Sequence, residues 1–537
     1  MLDILIKNGK IIDGSGSGSF VSDIGIKNGR IAKIATRIEE ESRNIINAQG
    51  FIVTPGFIDV HSHSDFTLYI NSFGESKIRQ GITTEVVGNC GFTAAPVNIE
   101  RFDELKQYLL NTVLLSEKEE KYWKWKTQKD FVEELASKGL SMNIASLVGH
   151  GTIRVSAMGF AKRKPTNHEL NQMIKMLETE LEQGLFGMST GLQYEPGSFA
   201  DTEELVELSK VLADYNAVYT THLRSEGKYL LESISQAVEI ADKSGVSVEI
   251  SHLKAQNPSN WGKVKDALRV IEHAKKRGCN IDFDVYPYLA FGSGLMDLVP
   301  PWVRESGTSK MVEILKTKRA QVIKEMMNAG ADWDNPLTGT NWDKIRIASL
   351  RTESNKKYEG LTIEQIARDM ACSPYHAVIN LLIEEQGAIK IIFFAMCEDD
   401  LITVMNHPGA LFCTDGRAVA PYGELAKGKV HPRYYGTYPR ILGHYVRELG
   451  LMTLEEAIKK MTYLPALKFN LIERGLIKEG YYADITIFDQ EEIIDNATFD
   501  DPHQYSSGVK YVLVNGKTVI SQGNHTGILP GEVLYRS

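Results

Sequence analysis

Thr54-Pro55-Gly56-Phe57-Ile58-Asp59-Val60-His61-Ser62-His63 is the stretch that decides the fold, because an apolar run meets a Pro-Gly turn and resumes as a strand. Side chains two residues apart on a strand point to the same side, so His61 and His63 present two imidazoles together at the end of this strand. Such a pair is able to hold a metal ion, although two histidines at this spacing also arise by chance. The prediction of a metal site therefore depends on further ligands elsewhere in the chain.

Length and composition limit the class of protein. The chain has 537 residues, enough for two or more domains or for one large barrel with an appendage. Its content of 43% hydrophobic and 24% charged residues is ordinary for a soluble globular protein. A net charge of -9 argues against a nucleic-acid or anionic membrane partner. MLDILIKNGK lacks the features of a signal peptide, and no apolar run is long enough to cross a bilayer. The five scattered cysteines fit a reducing cytosol, so we expect a soluble cytoplasmic protein.

Both ends of the chain have the pattern of short strands joined by hairpins. Asn-Gly pairs flanked by apolar runs, at residues 8–9, 28–29 and 515–516, are a strong signal for two-residue turns. Because similar β-rich segments occur at both ends, we predict that residues 1–54 and 466–537 form one small β-sandwich domain. Residues 55–465 would then be inserted between its two halves.

Short apolar strands alternate with amphipathic helical patterns through the middle of the chain. This alternation predicts an α/β fold with a parallel sheet, closed as a TIM-like (β/α)8 barrel. The eight strands are predicted at residues 56–60, 83–88, 143–148, 186–189, 217–221, 247–251, 280–285 and 410–414. Two further segments, residues 345–348 and 391–395, also have strand character and exceed this count. Residues 296–343 lack the strand–helix alternation, so we predict an insertion or lid over the barrel mouth.

Residues that can bind a metal follow several of the predicted strands. Besides His61 and His63, they are Cys90, His222, His252 and Asp415. In a TIM barrel the carboxyl ends of the strands converge on the face that holds the active site. Imidazole, thiolate and carboxylate are ligands of Zn²⁺. Each residue alone has a commoner structural explanation, but the same placement on different strands favours a mononuclear or dinuclear metal hydrolase.

Nine motifs in this order extend the pattern over nearly the whole chain: TPGFIDVHSHSD, VVGNCGF, LVGHGTIR, STGLQYEPG, THLRSE, ISHLKAQN, DVYPY, FCTDG and HPRYYGTYPRIL. Together they resemble the N-acyl-D-amino-acid deacylases (D-aminoacylases), a branch of the amidohydrolase superfamily. Most members of that superfamily bridge their metals with a carboxylated lysine on the fourth strand. The corresponding segment here, FGMSTG, has no lysine, and the resemblance implies that Cys90 takes the bridging position.

The resemblance also implies a role for each site residue. Cys90, His222 and His252 match a tightly held zinc ion, whereas His61, His63 and Asp415 match a second and weaker metal site. Asp415 would also be the catalytic base. Substrate-binding positions are matched by Lys254, Tyr286, Arg433 and, less closely, Tyr194. For Arg433 the chemistry agrees, because a guanidinium binds a carboxylate through two hydrogen bonds. A solvated loop lysine and a barrel-packing tyrosine are the alternatives for Lys254 and Tyr286.

The activity implied by the resemblance is zinc-dependent hydrolysis of the amide bond of N-acyl-D-amino acids, and of L-Xaa-D-Xaa dipeptides. The loop after DVYPY, LAFGSGLM, carries no cation, so we expect small-molecule substrates with neutral or hydrophobic D side chains. One alternative is a cyclic-amide hydrolase of the hydantoinase or dihydroorotase type, which would need the missing lysine of the fourth strand. The other is a metal-free scaffold relative, which we would expect to have lost ligands. The sequence does not indicate the oligomeric state.

Overall fold

Eight parallel strands form a barrel in the computed structural model, which describes residues 1–109, 123–305, 307–328 and 333–536. In the order in which they neighbour one another, the strands are Phe57–Asp59, Ile82–Val87, Asn143–Gly149, Gly187–Gly191, Val218–His222, Ser247–Ile250, Ile281–Val285 and Ala410–Phe412. All eight coincide with predicted strands. Most of their residues are buried, because helices cover the outer face and side chains fill the interior. This burial explains why the strands appear in the sequence as short apolar runs.

The barrel closes where the eighth strand meets the first. The backbone N–H of Asp415 donates to the carbonyl oxygen of His61, and that of His63 donates to Gly416, both at 2.9 Å. Ser62 and Gly416 form a parallel bridge between the same segments. We call this junction the barrel seam. It lies at the carboxyl ends of the strands and carries three of the predicted metal ligands.

A buried lysine holds the barrel seam together. Lys77, on the short helix Glu75–Ile78, is inaccessible to solvent. Its Nζ lies 2.8 Å from the carboxylates of both Asp59 and Glu85, on the first and second strands, and donates to Thr414 Oγ1 at 2.7 Å. Burial acts to lower the pKa of Lys77, but the two carboxylates outweigh it and raise that pKa above its ordinary value. The ammonium group therefore stays charged and joins three strands.

Helices cover the outside of the barrel, and polar side chains define where several of them begin. Thr166 and Glu169 form a capping box at the start of one helix, and Asp201 caps the next. None of the described helices is both long and apolar enough to span a membrane. The helices have the bounds Asp65–Ile70, Glu75–Ile78, Phe102–Leu109, Gln128–Ser137, His150–Met158, Asn167–Glu182, Thr202–Asp214, Leu230–Ser244, Lys263–Lys276, Pro301–Arg304, Thr308–Thr317, Arg319–Met326, Ile363–Asp369, Pro374–Glu384, Glu398–Asn406, Arg433–Arg440, Leu454–Met461 and Tyr463–Lys468, with Ile441–Glu448 as a π-helix.

An insertion between the seventh and eighth strands builds a second, smaller sheet. Its three antiparallel strands are Phe291–Gly294, Ile345–Ser349 and, between them, Lys390–Phe393. The two surplus segments of the sequence belong to this sheet, whose buried strands have the same apolar pattern as barrel strands. The insertion extends beyond the predicted residues 296–343 on both sides, and residues 306 and 329–332 of that range lie outside the described residues.

Strands from both chain ends form one further sheet. In neighbour order they are Asn524–His525, Lys517–Ser521, Val509–Val514, Ile485–Phe488, Ile52–Pro55, Leu2–Ile11, Phe20–Lys27 and Arg30–Ala35, with Ser42–Asn47 also paired to Leu2–Ile11. The two ends meet where Ile52–Pro55 pairs antiparallel with Ile485–Phe488, over a separate core rich in isoleucine. The predicted fold class, a (β/α)8 barrel with a small β domain from both chain ends, is confirmed. The domain boundaries stay a prediction.

Replacing Lys77 by Met tests the barrel seam. The variant would leave Asp59 and Glu85 buried without a counter-charge, which costs about 3–5 kcal/mol of unfolding free energy. We expect a clear fall in the urea unfolding midpoint. Lys243→Met is the control, because Lys243 forms an exposed ion pair with Glu239 at 2.6 Å. Equal midpoints for the two variants would contradict the role of Lys77.

Candidate metal centre

The structure brings the six predicted metal ligands together at the carboxyl ends of the barrel strands. Their donor atoms form three overlapping groups, and within each group the atoms lie within 4.8 Å of one another. The groups are His61 with His63 and Cys90, Cys90 with His222 and His252, and His61 with His252 and Asp415. Cys90, His61 and His252 each belong to two groups. Cys90, His222 and His252, the predicted tight site, form one group, whereas the predicted weaker set of His61, His63 and Asp415 is divided between the other two.

Cys90 lies at the centre of the cluster. Its Sγ is 3.3 Å from His61 Nε2, 3.7 Å from His222 Nδ1 and 3.9 Å from His252 Nε2. A sulfur and a nitrogen bound to one tetrahedral zinc ion are about 3.5 Å apart, so these separations fit a shared metal. Burial opposes ionisation of the thiol, but the charges of His61 and His63 bring the pKa of Cys90 well below its ordinary value. The donor set therefore contains a thiolate.

Three histidines are each held by the ring nitrogen that faces away from Cys90. Asp284 Oδ2 lies 3.3 Å from Nδ1 of His61, and Glu226 Oε1 lies 2.8 Å from Nδ1 of His252. For His222 the arrangement is reversed, because Nε2 contacts Gln193 Oε1 at 2.9 Å. The acceptors Asp284 and Gln193 favour an N–H on the outer nitrogen of His61 and His222, which leaves the inner nitrogen of each ring for a metal. At His252 the outer nitrogen Nδ1 contacts both the Glu226 carboxylate and the Lys254 ammonium group, the latter at 2.9 Å.

Backbone strain accompanies three of the six ligands. Cys90, His252 and Asp415 have φ angles of 55°, 37° and 45°, a left-handed conformation that side-chain-bearing residues seldom adopt. Each such residue costs on the order of 1–3 kcal/mol, and strain of this kind is concentrated at functional sites. At Cys90 the fourth strand supports the turn, since Ser189 Oγ accepts from Gly91 N at 2.9 Å and donates to Gly88 O.

Asp415 lies between the histidines and a buried arginine. Its Oδ1 is 3.3 Å from His63 Nε2, and its Oδ2 is 2.9 Å from Arg433 Nη1. Burial acts to raise the pKa of Asp415, but Arg433 and the histidines hold it well below the usual range, so the carboxylate is ionised. Nη1 of Arg433 is engaged in this ion pair, whereas Nε has no partner with hydrogen-bond geometry among the described residues. Arg433 also lines the cavity, so its guanidinium can reach a further anion there.

Two other predicted substrate-binding residues, Tyr194 and Tyr286, differ in their relation to the cavity above the metal ligands. Tyr194 lines this cavity, with its ring centroid 4.9 Å from that of His222. Tyr286 is not among the described residues that line it. Its ring lies 4.5 Å from the guanidinium carbon of Arg433, so it supports the arginine from behind.

Lys254 also lines the cavity, but its ammonium group is held from the opposite side. It donates to the Glu226 carboxylate and to the carbonyl oxygen of His252, the latter at 2.9 Å. Glu226 accepts a further hydrogen bond from Gln256, and its pKa is lowered because Lys254 and His252 outweigh burial. Lys254 therefore makes two contributions: its hydrogen bonds orient Glu226 and His252, and its side chain also lines the cavity.

Sequence reasoning missed Glu226, Asp284 and Gln193, which hold the histidines in place. All three lie inside motifs that were recognised, THLRSE, DVYPY and STGLQYEPG. Asp284 also accepts from the backbone N–H of His252 at 2.6 Å and from the Cys413 thiol at 2.9 Å. An acidic residue at the end of a barrel strand, as Asp284 is, was the one signal that could have indicated this role.

The cavity has a volume of about 760 Å³, within the range of small-molecule sites, and the insertion forms one of its walls. A buried ion-pair network fastens that wall to the barrel. Arg304, on the insertion, lies 2.9 Å from Asp297 and 3.4 Å from Glu195, which follows the fourth barrel strand. We call these three residues the insertion latch. One member of the insertion latch, Glu195, is the residue that follows Tyr194 in the chain.

A parallel barrel with a thiolate, imidazoles and a carboxylate at the mouth defines the class of metal-dependent barrel hydrolases. Comparison with known proteins supports this class. Residues 44–339 and 428–520 match the Amidohydrolase family, and the chain belongs to that family.

Several proteins resemble the chain over its full length. D-aminoacylase from Alcaligenes xylosoxydans xylosoxydans is 31% identical, covering 100% of this chain and 98% of its own. N-acyl-D-glutamate deacylase from the same organism is 32% identical, covering 100% and 97%. The crystal structure of N-acyl-D-glutamate deacylase from Bordetella bronchiseptica, with zinc and a phosphonate inhibitor, is similar with a TM-score of 0.83, 32% identity and 99% coverage of both chains. A D-hydantoinase shares the fold alone, with a TM-score of 0.55 and 15% identity over 100% of this chain and 99% of its own.

Metal content under limiting zinc tests the unequal contribution of the ligands. We expect Cys90→Ala to lose nearly all bound zinc, because it removes the thiolate donor of the Cys90, His222 and His252 group. His61→Ala should retain a larger fraction, since Cys90, His222 and His252 remain. Zinc per protein chain, measured by atomic emission, gives the comparison. Cys279→Ala is the control, because that thiol contacts Asp242 far from the cluster. Zinc content in Cys90→Ala equal to that of the unmodified protein would refute the assignment.

Proposed function

We propose that the protein is a zinc-dependent deacylase that hydrolyses the amide bond of N-acyl-D-amino acids and of L-Xaa-D-Xaa dipeptides. The observation that carries the proposal is the position of Asp415, whose two carboxylate oxygens face the histidine cluster on one side and Arg433 on the other. The amide and the carboxylate of an N-acyl amino acid are separated by one carbon atom. A substrate of this kind therefore reaches both groups at once.

Zinc, when bound, supplies a Lewis acid for the scissile carbonyl and lowers the pKa of water from ~15.7 to ~7. His61, His63, Cys90, His222, His252 and Asp415 would hold the metal. The ionised Asp415 accepts a proton from the attacking water and delivers it to the amide nitrogen as the C–N bond breaks. The products are a carboxylic acid and a D-amino acid.

The remaining residues of the site position the substrate. Arg433 lines the cavity and offers its guanidinium to the α-carboxylate, with the Tyr286 ring packed against that guanidinium. Tyr194 covers the side of the cavity next to His222. Lys254 keeps Glu226 and His252 aligned and presents its charge to the cavity. The distance between the base and the bound substrate is thereby set before the reaction begins.

Residues 289–296 contribute to the cavity wall and so to the preference for the side chain of the D-amino acid substrate. Phe291, Gly292, Ser293 and Met296 line the cavity, and this loop has no cation of its own. Our sequence-based prediction of neutral or hydrophobic D side chains depends on that loop.

Neither alternative has comparable support. A cyclic-amide hydrolase would need a lysine on the fourth strand, where Gly187–Gly191 carries none. In addition, Ser189 of that strand holds the turn of Cys90, and a side chain at Gly191 would collide with the Cys90 carbonyl oxygen at 2.3 Å. A metal-free scaffold would not need six competent donors within reach of one another.

We also propose a cytoplasmic location and small-molecule substrates as the partners. All five cysteines are free, which suits a reducing compartment. The net charge of -9 disfavours nucleic acid and anionic membrane surfaces.

Turnover of a substrate panel, with and without added zinc, tests the proposal. We expect hydrolysis of N-acetyl-D-leucine and N-acetyl-D-methionine, much slower reaction of the L-enantiomers, and no opening of hydantoins. Chelation should abolish the reaction, and zinc should restore it. Release of amine, followed by a coupled D-amino-acid oxidase assay, is the readout. Hydantoin hydrolysis without N-acyl-D-amino acid hydrolysis would reverse the proposal in favour of the cyclic-amide reaction.

Asp415→Asn tests the proton transfer. We expect kcat to fall about 10²–10⁴-fold while zinc remains bound, because the amide keeps the shape but cannot accept the proton. Asp266→Asn is the matched control, since Asp266 is an exposed helix residue paired with Arg269. Near-normal turnover of zinc-loaded Asp415→Asn would exclude Asp415 as the base.

A further inference from the structure

A lysine in the cavity wall has no role in the reaction described above. Lys390 begins the central strand of the insertion sheet, opposite Gly294 on one neighbour and Ser349 on the other. It is partly buried and lines the same cavity as Asp415 and Arg433. Within the described residues, its ammonium group makes no ion pair or hydrogen bond.

The surroundings of Lys390 do not neutralise its charge. The neighbouring charges that act on it are those of Arg417, which is repulsive, and Asp297, which is attractive. Asp297 already pairs with Arg304 at 2.9 Å and accepts hydrogen bonds from Ser293 and the Gly294 N–H. Burial, followed by the Arg417 charge, lowers the pKa of Lys390 to about 7. At neutral pH about half of the amine is therefore protonated, and the protonated form has no anion beside it except Asp297, which is already paired.

A cation without a counter-charge in a substrate cavity is costly, unless the ligand supplies the anion. In the function proposed above, the single carboxylate of an ordinary N-acyl amino acid binds Arg433, the residue that pairs with Asp415. Lys390 and Arg417 both line the cavity, so a second anionic group of the same ligand can reach them.

We infer, building on the proposed function, that Lys390 and Arg417 form a subsite for a second carboxylate of the substrate. The substrate is then a dicarboxylate, held by Arg433 at one end and by Lys390 at the other.

Two parts of an N-acyl-D-amino acid could carry the second carboxylate. One is the side chain, as in D-glutamate or D-aspartate, and the other is the far end of a dicarboxylic acyl group such as succinyl. Lys390 lies opposite Gly294 in the insertion sheet. The strand Lys390–Phe393 therefore places a cation beside residues 289–296, a segment that has no cation of its own. A side-chain carboxylate would revise the predicted preference for neutral D side chains, whereas an acyl carboxylate would leave it standing.

The test compares each acid with its neutral amide. The pairs are N-acetyl-D-glutamate with N-acetyl-D-glutamine, and N-succinyl-D-leucine with N-succinamoyl-D-leucine. In the pair whose second carboxylate occupies the subsite, we expect kcat/KM for the acid to exceed that for the amide by about ten- to hundredfold. This is the effect of a charge-assisted hydrogen bond. Lys390→Met should reduce that ratio to about one, and Lys390→Arg should restore most of it.

Lys356→Met is the matched control, because Lys356 lies at the rim of the cavity and is paired with Glu353 at 3.0 Å. It should keep the ratio of the unmodified enzyme. Acid-to-amide ratios near one in both pairs would overturn the subsite, and so would an acid preference that survives Lys390→Met.

Calorimetric binding of the same four compounds to zinc-loaded Asp415→Asn protein gives the comparison without turnover. If no compound is hydrolysed, the proposed function fails, and the subsite is judged on binding alone. A preference for the acid that disappears in the Lys390→Met, Asp415→Asn double variant supports the subsite. Equal affinity for acid and amide in both pairs refutes it.

Discussion

The site depends on one buried charge interaction, that of Lys77 with Asp59 and Glu85. The first and eighth barrel strands carry His61, His63 and Asp415, yet they share no regular ladder of hydrogen bonds. The ammonium group of Lys77 spans this gap by contacting both strands and the second strand as well. Because the three ligands are attached to the two sides of the barrel seam, their separation depends on this contact together with the backbone hydrogen bonds between His61 and Asp415 and between His63 and Gly416.

The metal ligands and the residues that contact them carry charges of both signs. Cys90 and Asp415 are anionic donors, and Asp284 and Glu226 stand behind the histidines as two further carboxylates. Lys254 and Arg433 are the cations that contact these groups. Cys90 and Asp415 remain as the anionic donors among the six ligands, which suits a divalent cation.

Much of this arrangement could be predicted from the sequence, because it follows from chain-local patterns. Each ligand comes directly after an apolar run, and the barrel geometry then places strand ends on one face. The outer partners of the histidines could not be found in this way. Glu226 reaches His252 from a different strand, and Asp284, on the seventh strand, reaches His61 at the end of the first. Their roles depend on packing between distant segments, as do those of Lys77 and the insertion latch.

The small insertion sheet shows the limit of periodicity. The segments at 345–348 and 391–395 are as apolar as barrel strands, and only their antiparallel pairing distinguishes them. Lys390 stands at the start of one such strand, where a lone lysine among apolar residues gives no sign of the cavity it faces. A specificity residue of this kind becomes visible only with the tertiary structure.

The sheet built from both chain ends has a consequence for synthesis. Ile52–Pro55 leaves the ribosome roughly 400 residues before its partner Ile485–Phe488. At ~5–20 residues per second, this edge waits about 20–80 s with its backbone groups unpaired. The barrel, whose successive strands are neighbours in sequence, can assemble in that interval. The sheet that holds this edge is therefore completed only after all eight barrel strands have been synthesised.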